Sequence, residues 1–359
     1  MRKYLLTLLL LSNVSFASDV AEKYADHVLE MYTESLERAI KLDADLKTFV
    51  ESPNLFNHVA AKLSWINARE VYGQTEAFRF YSGPIDSDEG PEGLLNAWPL
   101  DENYIDYVVG APNSGIINNP QEYPSITKEL LISLNENDGE KNISTGYHAI
   151  EFLLWGQDMF ELGPGRRWHD DYIVGSVANA KRRGEYLLVV SELLIKDLQF
   201  LVSSWEKGNS SNYRAEFLAM PFEKSLQNIF KGIVFMSGDE LSGERMYVAY
   251  DTRGQEDEHS CFSDMTHKDI EWNFQGVVNV IKATGMLSLP AMNQTNLSLS
   301  IEKRSNEILE LIRMIPIPFD QAILNENGRA IILKTIEEME YLATDLSAAS
   351  KRLDATVEY

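Results

Sequence analysis

The sequence predicts an all-α protein built as two domains. Three observations carry this. Apolar residues recur at steps of three and four, as in Leu187, Val190, Leu194, Leu198 and Leu201, and again in Ile332, Ile336, Met339, Leu342 and Leu346. Alternating apolar–polar runs are scarce, and no hairpin signal stands out. The chain has 359 residues, 44% of them hydrophobic and 24% charged. That composition is globular, and at roughly 150 residues per domain the length suits two.

The elements follow in order. Met1 to Ala17 has the pattern of an export signal: Arg2 and Lys3, a short apolar run from Tyr4 to Leu11, then Ser15 and Ala17 as small residues before a cleavage point at Ser18. The run is too short for a membrane span of roughly 20 residues, and no later segment qualifies. No cysteine follows it, which argues against a lipid anchor. Helices are predicted over about Asp19–Val50, Asn54–Thr75 and Thr145–Gly156. A long one should run from near Asp170 to Trp205, some 50 Å at 1.5 Å per residue, a length that suits a bundle. Others cover about Ala215–Tyr250, Ser260–Ala283, Asn296–Met314 and Gly328–Lys351. Gly83–Pro99 and Gly110–Pro124 break the pattern with Gly, Pro and Asn and read as long loops. Their aromatic residues, Trp98 among them, predict order. Lys207 to Asn212 reads as a linker, so the domains are 18–206 and 207–359 after the signal at 1–17.

Charge narrows the function. With 32 Lys+Arg against 55 Asp+Glu, the formal charge is −23. Nucleic acid and anionic membranes would be repelled, while cations and basic partners are attracted. The single cysteine, Cys261, excludes an internal disulfide and Cys-rich zinc or iron–sulfur sites. It reads as a small buried hydrophobe.

Three polar blocks could carry chemistry. In Gly146–Gly156, His148 and Glu151 stand at i and i+3, on one face of an otherwise apolar helix. Such a pair can hold a cation, act as a base with its orienting acid, or simply form a buried structural hydrogen bond. It lacks the second His of zinc peptidases of the His-Glu-x-x-His type. In Ser237–Met246, Glu240 and Glu244 at i, i+4 would repel unless Arg245 or a cation lies between them; a solvated acidic face is the alternative. Gln255–Asp269 gathers His259, Asp264 and His267 with further acids. If helical from His259, it places His259, Ser263 and His267 on one broad face. The alternative is an acidic loop capping a helix through Ser260.

Together these motifs resemble the imelysin family, the imelysin peptidases, which include the iron-regulated protein A type. The Gly-x-His-x-x-Glu motif matches at Gly146, His148 and Glu151 and continues through Phe152-Leu153-Leu154-Trp155-Gly156. The Leu-Ser-Gly-Glu-Arg-Met block matches at 241–246, and the Gln-Glu-Asp-Glu-His-Ser-Cys-Phe-Ser-Asp block at 255–264. The loops Phe78–Asp86 and Asn96–Asp101 match too. Met265 departs from the Asn expected there. The resemblance implies two helical bundles related by a pseudo-twofold, with the His-x-x-Glu motif near their junction. It implies export to the periplasm or outer-membrane surface of a Gram-negative bacterium, and a role in iron acquisition beside other iron-uptake proteins. It also carries a disputed metallopeptidase label.

Two functions follow as expectations. One is a binding protein that takes iron, or a small iron-bearing ligand, at a cleft between the bundles, with His148 and Glu151 as metal ligands. Arg79, Asp86, Glu240, Glu244, Arg245, His259, Asp264 and His267 would line that cleft. The other is a metal-dependent peptidase in which His148 ligates zinc and Glu151 ligates it or activates water. A hydrolytic zinc site needs about three protein ligands and an open position, and the motif supplies two. A purely structural role, holding the bundles together, is the third possibility.

Overall fold

The computed structural model describes the backbone from residue 2 and side chains from residue 19; the export signal expected at 1–17 lies outside the residues with described side chains. The fold is all-α. Among the described residues, extended pairing is confined to isolated bridges at Val108–Ala111 and Val174–Val177.

The α-helices of ten residues or more are α1 (Arg2–Glu51), α2 (Leu55–Thr75), α3 (Gly146–Trp155), α4 (Ala180–Trp205), α5 (Phe222–Phe235), α6 (Thr266–Thr284), α7 (Asn296–Met314) and α8 (Glu326–Arg352). A π-helix, Met236–Tyr247, continues α5. Helix α1 packs along α2 and α4, while α8 packs on α7 and the π-helix. Helices α2 and α6 cross between these groups. The buried apolar residues form one cluster running from Val20 to Val357.

Local chemistry explains several boundaries. Asn54 caps α2 by accepting from the Asn57 N–H, and Asn325 caps α8 through the Gly328 N–H. The long helix expected from Asp170 begins ten residues later, at Ala180. Gly175 and Asn179 take left-handed φ of +90° and +59° and interrupt it. The helix expected over Ala215–Tyr250 breaks at Pro221, which lacks the N–H needed to continue the turn from Tyr213–Ala219 into α5. The helix expected from Ser260 starts at Thr266, because Ser260 and Asp264 sit at φ +62° and +58°. His259 is therefore not helical and does not share a helix face with Ser263 and His267. Ser260 caps nothing; its hydroxyl donates to Asp269 at 2.6 Å.

Candidate functional site

Every residue of α3 is buried. Two bonds from α2 hold the helix: Trp65 Nε1 donates to the Tyr147 carbonyl at 2.9 Å, and His58 Nε2 lies 2.8 Å from the Leu154 carbonyl. The motif glycine, Gly146, has φ +85°, and a Cβ there would strike the Leu95 carbonyl. Only glycine lets the chain enter α3 beside the 92–95 turn. The α2–α6 crossing is similarly close, since a Cβ at Gly276 would meet the Gln74 carbonyl. That closeness brings Arg69 of α2 to Asp269 of α6.

A hydrogen-bonded chain runs through this junction. Glu151 Oε2 lies 2.8 Å from His148 Nδ1, His148 Nε2 is 3.2 Å from His259 Nε2, and His259 Nδ1 is 2.7 Å from Asp269 Oδ2. Arg69 donates Nε to Asp269 Oδ1 at 3.0 Å and Nη2 to Oδ2 at 2.9 Å. Burial pushes Asp269 up, but Arg69 and His259 outweigh it and hold the carboxylate far below its usual range. The ionised Asp269 places the His259 proton on Nδ1, leaving Nε2 a lone pair. His148 must then donate from Nε2, so its Nδ1 accepts, and Glu151 must carry a proton. Burial pushes Glu151 up to about 8, against the Ser263 bonds that lower it. Those bonds, from the Ser263 N–H at 2.9 Å and Oγ at 2.7 Å, end on the other carboxyl oxygen. Burial, then the facing His259, keep His148 well below the ordinary histidine range. The Trp98 ring lies 4.7 Å from the His148 ring and 5.8 Å from that of His259.

The other end of the chain is ionic. Arg69 donates Nη1 to Asn96 Oδ1, and Asn96 Nδ2 donates to Glu76 Oε2 at 3.1 Å. The same oxygen accepts from Arg245 Nη2 at 2.6 Å and Arg79 Nη1 at 2.9 Å. Burial raises Glu76, yet Arg79, Arg245 and Arg69 together hold it at about 2. Arg245 Nε also reaches Glu240 Oε1 at 2.9 Å. This i, i+5 pairing is what the π-helix supplies, because its wider turn puts residues five apart on one face. Glu240 accordingly faces Arg245. Glu244, the predicted i, i+4 neighbour, is exposed.

A cavity of about 310 Å³ opens onto this network. His259, Trp98, Asn96, Arg79 and Arg245 line it. Five carboxylates line it: Glu92, Glu136, Glu240, Glu244 and Asp257. Both arginines are already paired, Arg79 with Glu76 and Glu92, Arg245 with Glu76 and Glu240. The cavity therefore favours a cation.

Of the predicted residues, the structure brings together His148, Glu151 and His259, and beside them Arg79, Glu240, Glu244 and Arg245. Asp86 lies elsewhere: it accepts from the backbone N–H groups of Phe80, Tyr81 and Gly83 and shapes its own loop. Asp264 contacts Asp158 and not the cavity. His267, half-buried on α6, lies outside the His148–His259 chain. Cys261 is buried and free. Among the described residues, no three His, Cys, Asp or Glu side chains are placed to hold one metal ion. Sequence reasoning missed Arg69, Glu76 and Asp269. A signal existed for Arg69, which falls in the stripe Trp65, Ala68 and Tyr72, where a buried charge demands a partner.

The imelysin family model matches residues 28–346. Iron-regulated protein A of Synechococcus elongatus is 23% identical over 323 residues, covering 85% of this chain and 78% of that one. The crystal structure of a candidate iron-regulated protein A precursor from Parabacteroides distasonis superposes with a TM-score of 0.72 at 19% identity, covering 94% of this chain and 95% of that one. An imelysin-like protein from Psychrobacter arcticum gives 0.69 at 11% identity, covering 96% and 98%. With a family match over most of its length and the same helical fold in both solved relatives, the chain belongs to the imelysin family.

Proposed function

We propose that this protein is an exported, iron-handling binding protein of the cell envelope. It takes up iron together with small ligands of its own, in the cavity lined by His259. One observation carries the reading. Two imidazoles, each backed at Nδ1 by a carboxyl group, aim their Nε2 atoms at each other 3.2 Å apart. Two nitrogens bound at about 2.0 Å to one tetrahedral ion lie about 3.3 Å apart. A cation between them, either a proton or a metal, relieves the repulsion of two lone pairs. Glu151 and Asp269 orient the two rings, as carboxyl partners of metal-bound histidines do. In this reading Glu151 backs His148 through Nδ1 instead of sharing the ion with it.

Two protein nitrogens do not fill an iron coordination shell. The cavity has room for the ligands an iron ion brings with it, and its unpaired acids, Glu136, Glu244 and Asp257, attract the charge. The Synechococcus relative is named as iron-regulated, which supports an iron-related role. Export by the 1–17 segment, contact with other iron-uptake proteins and the division into bundles at 206/207 belong to the same proposal. Among the described residues no helix is long and apolar enough to cross a membrane.

The peptidase alternative has less support. Glu151 spends one oxygen on His148 and the other on Ser263, and no third protein ligand joins the two imidazoles. Titration of the purified chain with Fe²⁺, Fe³⁺-citrate and Zn²⁺ tests the proposal. His148→Ala and His259→Ala are each expected to weaken iron binding at least tenfold. Unchanged binding in both variants overturns the site. Chelator-sensitive proteolysis abolished by Glu151→Gln would favour the peptidase.

A further inference from the structure

A second cavity, of about 260 Å³, opens where the chain leaves α3. It shares no lining residue with the first. Gly156 ends α3 at φ +73°, a conformation that glycine takes without strain. The chain then loops out and returns, and the Arg167 N–H donates to the Trp155 carbonyl at 2.7 Å. Gln157 Oε1 accepts from the Val109 N–H at 2.8 Å, which ties the segment around Val109 to this loop. Tyr107, Val108 and Val109 line the cavity together with Met159 and Phe160.

Its charge is the reverse of its surroundings. The chain carries −23 in all, and five carboxylates line the first cavity. Here the charged lining is Arg166 and Arg167, with no carboxylate. Arg167 is buried against the rings of Tyr107 and Phe152, 5.0 and 5.2 Å from their centroids. Its Nη1 lies 2.5 Å from Asp106 and 3.6 Å from Asp171, while Arg183 pairs with the same Asp106. Those two carboxylates balance those two arginines. Arg167 Nε remains buried without a partner, and a buried donor lacking an acceptor is costly. Gly156 keeps a side chain away from it, since a Cβ there would lie 3.5 Å from that Nε.

Arg166 is exposed and, among the described residues, has no carboxylate partner. The buried acid of the loop, Asp158, is engaged instead with the Phe160 N–H and the Gln255 amide. The Arg166 guanidinium stands 3.7 Å from the centroid of the Phe160 ring. Stacking on the ring orients the guanidinium plane and leaves its N–H edge free. Arg166 is thus the uncompensated cation of the cavity. Around it the lining is apolar, and Val109 and Met159 are 75% and 59% exposed. An apolar chain laid on them would remove that surface from water.

Apolar lining with one or two fixed polar groups is the usual make-up of a small-molecule site. A guanidinium fork matches a carboxylate through paired N–H bonds. One uncompensated cation suits a single negative charge better than a dianionic phosphate. The volume falls just under the roughly 300–1,000 Å³ usual for ligand sites, so the occupant is small. We propose that this cavity binds a small carboxylate with an apolar chain. Arg166 holds the head, an oxygen seated against Arg167 satisfies Nε, and the chain lies along Val108, Val109 and Met159. The site stands independently of the iron reading.

Calorimetric titration of the full chain with octanoate, octylamine, acetate and octyl phosphate tests it. Octanoate should bind saturably, one per chain. Acetate, which lacks the chain, should bind at least roughly tenfold more weakly, and octylamine, which carries the opposite charge, should not bind. Arg166→Gln should weaken octanoate binding by roughly tenfold while melting as the wild type does, because the side chain is exposed. Arg166→Lys keeps the charge without the fork and should fall between the two. His148→Ala should bind octanoate as the wild type does, so failure of the iron reading is separable from failure here. Absence of saturable octanoate binding, undiminished binding in Arg166→Gln, or equal binding of octylamine overturns the proposal. Tighter binding of octyl phosphate overturns the carboxylate assignment.

Discussion

Glu76 and Glu151 stand at opposite ends of one buried hydrogen-bonded chain. Both are fully buried, and burial pushes both carboxyls up. Yet Glu76 is held at about 2 and Glu151 rises to about 8. The difference is the company. Glu76 faces Arg79, Arg245 and Arg69, whereas Glu151 faces a neutral imidazole and a serine. The same side chain therefore serves as an ionic clamp at one end and as a proton-bearing acid at the other. A buried carboxyl acquires its role from the charges around it.

The largest expected effect strikes the clamp. Glu76→Gln leaves two buried guanidiniums short of charge and should cost about 3–5 kcal/mol, read by urea unfolding at pH 7. A loss below about 1 kcal/mol would mean that Glu92 and Glu240 already suffice. The pH dependence has a definite sign. Because the folded value lies below the ordinary 4.5, the stabilisation from Glu76 is complete above pH 4.5 and is lost as pH falls toward about 2.

The same substitution at the other end should act in the opposite direction. The folded value of Glu151 lies above 4.5, so its contribution is complete below pH 4.5 and is lost as pH rises toward about 8. Glu151→Gln escapes that loss. The variant should gain stability over the wild type between pH 4.5 and 8, reaching on the order of 2 kcal/mol. The gain stays below the full shift because the amide must keep the bonds to His148 and Ser263. Unfolding curves at pH 5 and pH 8 check this, and a variant less stable at both values would break the comparison. The smallest effect belongs to the exposed cavity rim. Glu244→Gln should leave stability within about 0.5 kcal/mol and weaken Fe³⁺-citrate binding by roughly two- to fivefold, as measured by titration.

Much of this was legible beforehand. The i, i+3 spacing put His148 and Glu151 in contact, and the apolar residues around them announced their burial. His259 was named, but for a helix face that does not exist. Left-handed Ser260 and Asp264 break the helix there, and a single sequence does not display φ. Glu240 was paired by α-helical spacing with Glu244, whereas the π-helix gives it Arg245. Asp86 and Asp264 are acids in matching blocks, yet one shapes its own loop and the other contacts Asp158.

By itself, then, the sequence determined the all-α class, the helical stripes, the acidic charge and the His148–Glu151 pair. Each of these depends on composition or on residues a few positions apart, where covalent geometry dictates who meets whom. Only the tertiary structure decided that His259 faces His148, that Arg69 neutralises Asp269, and that Arg245 reaches Glu76. Those partners lie 111, 200 and 169 positions apart. The α2–α6 crossing, close enough to require Gly276, brings Arg69 to Asp269. Protonation follows from such encounters, because the electrostatics of a buried acid are set by whatever packing places within a few ångströms of it.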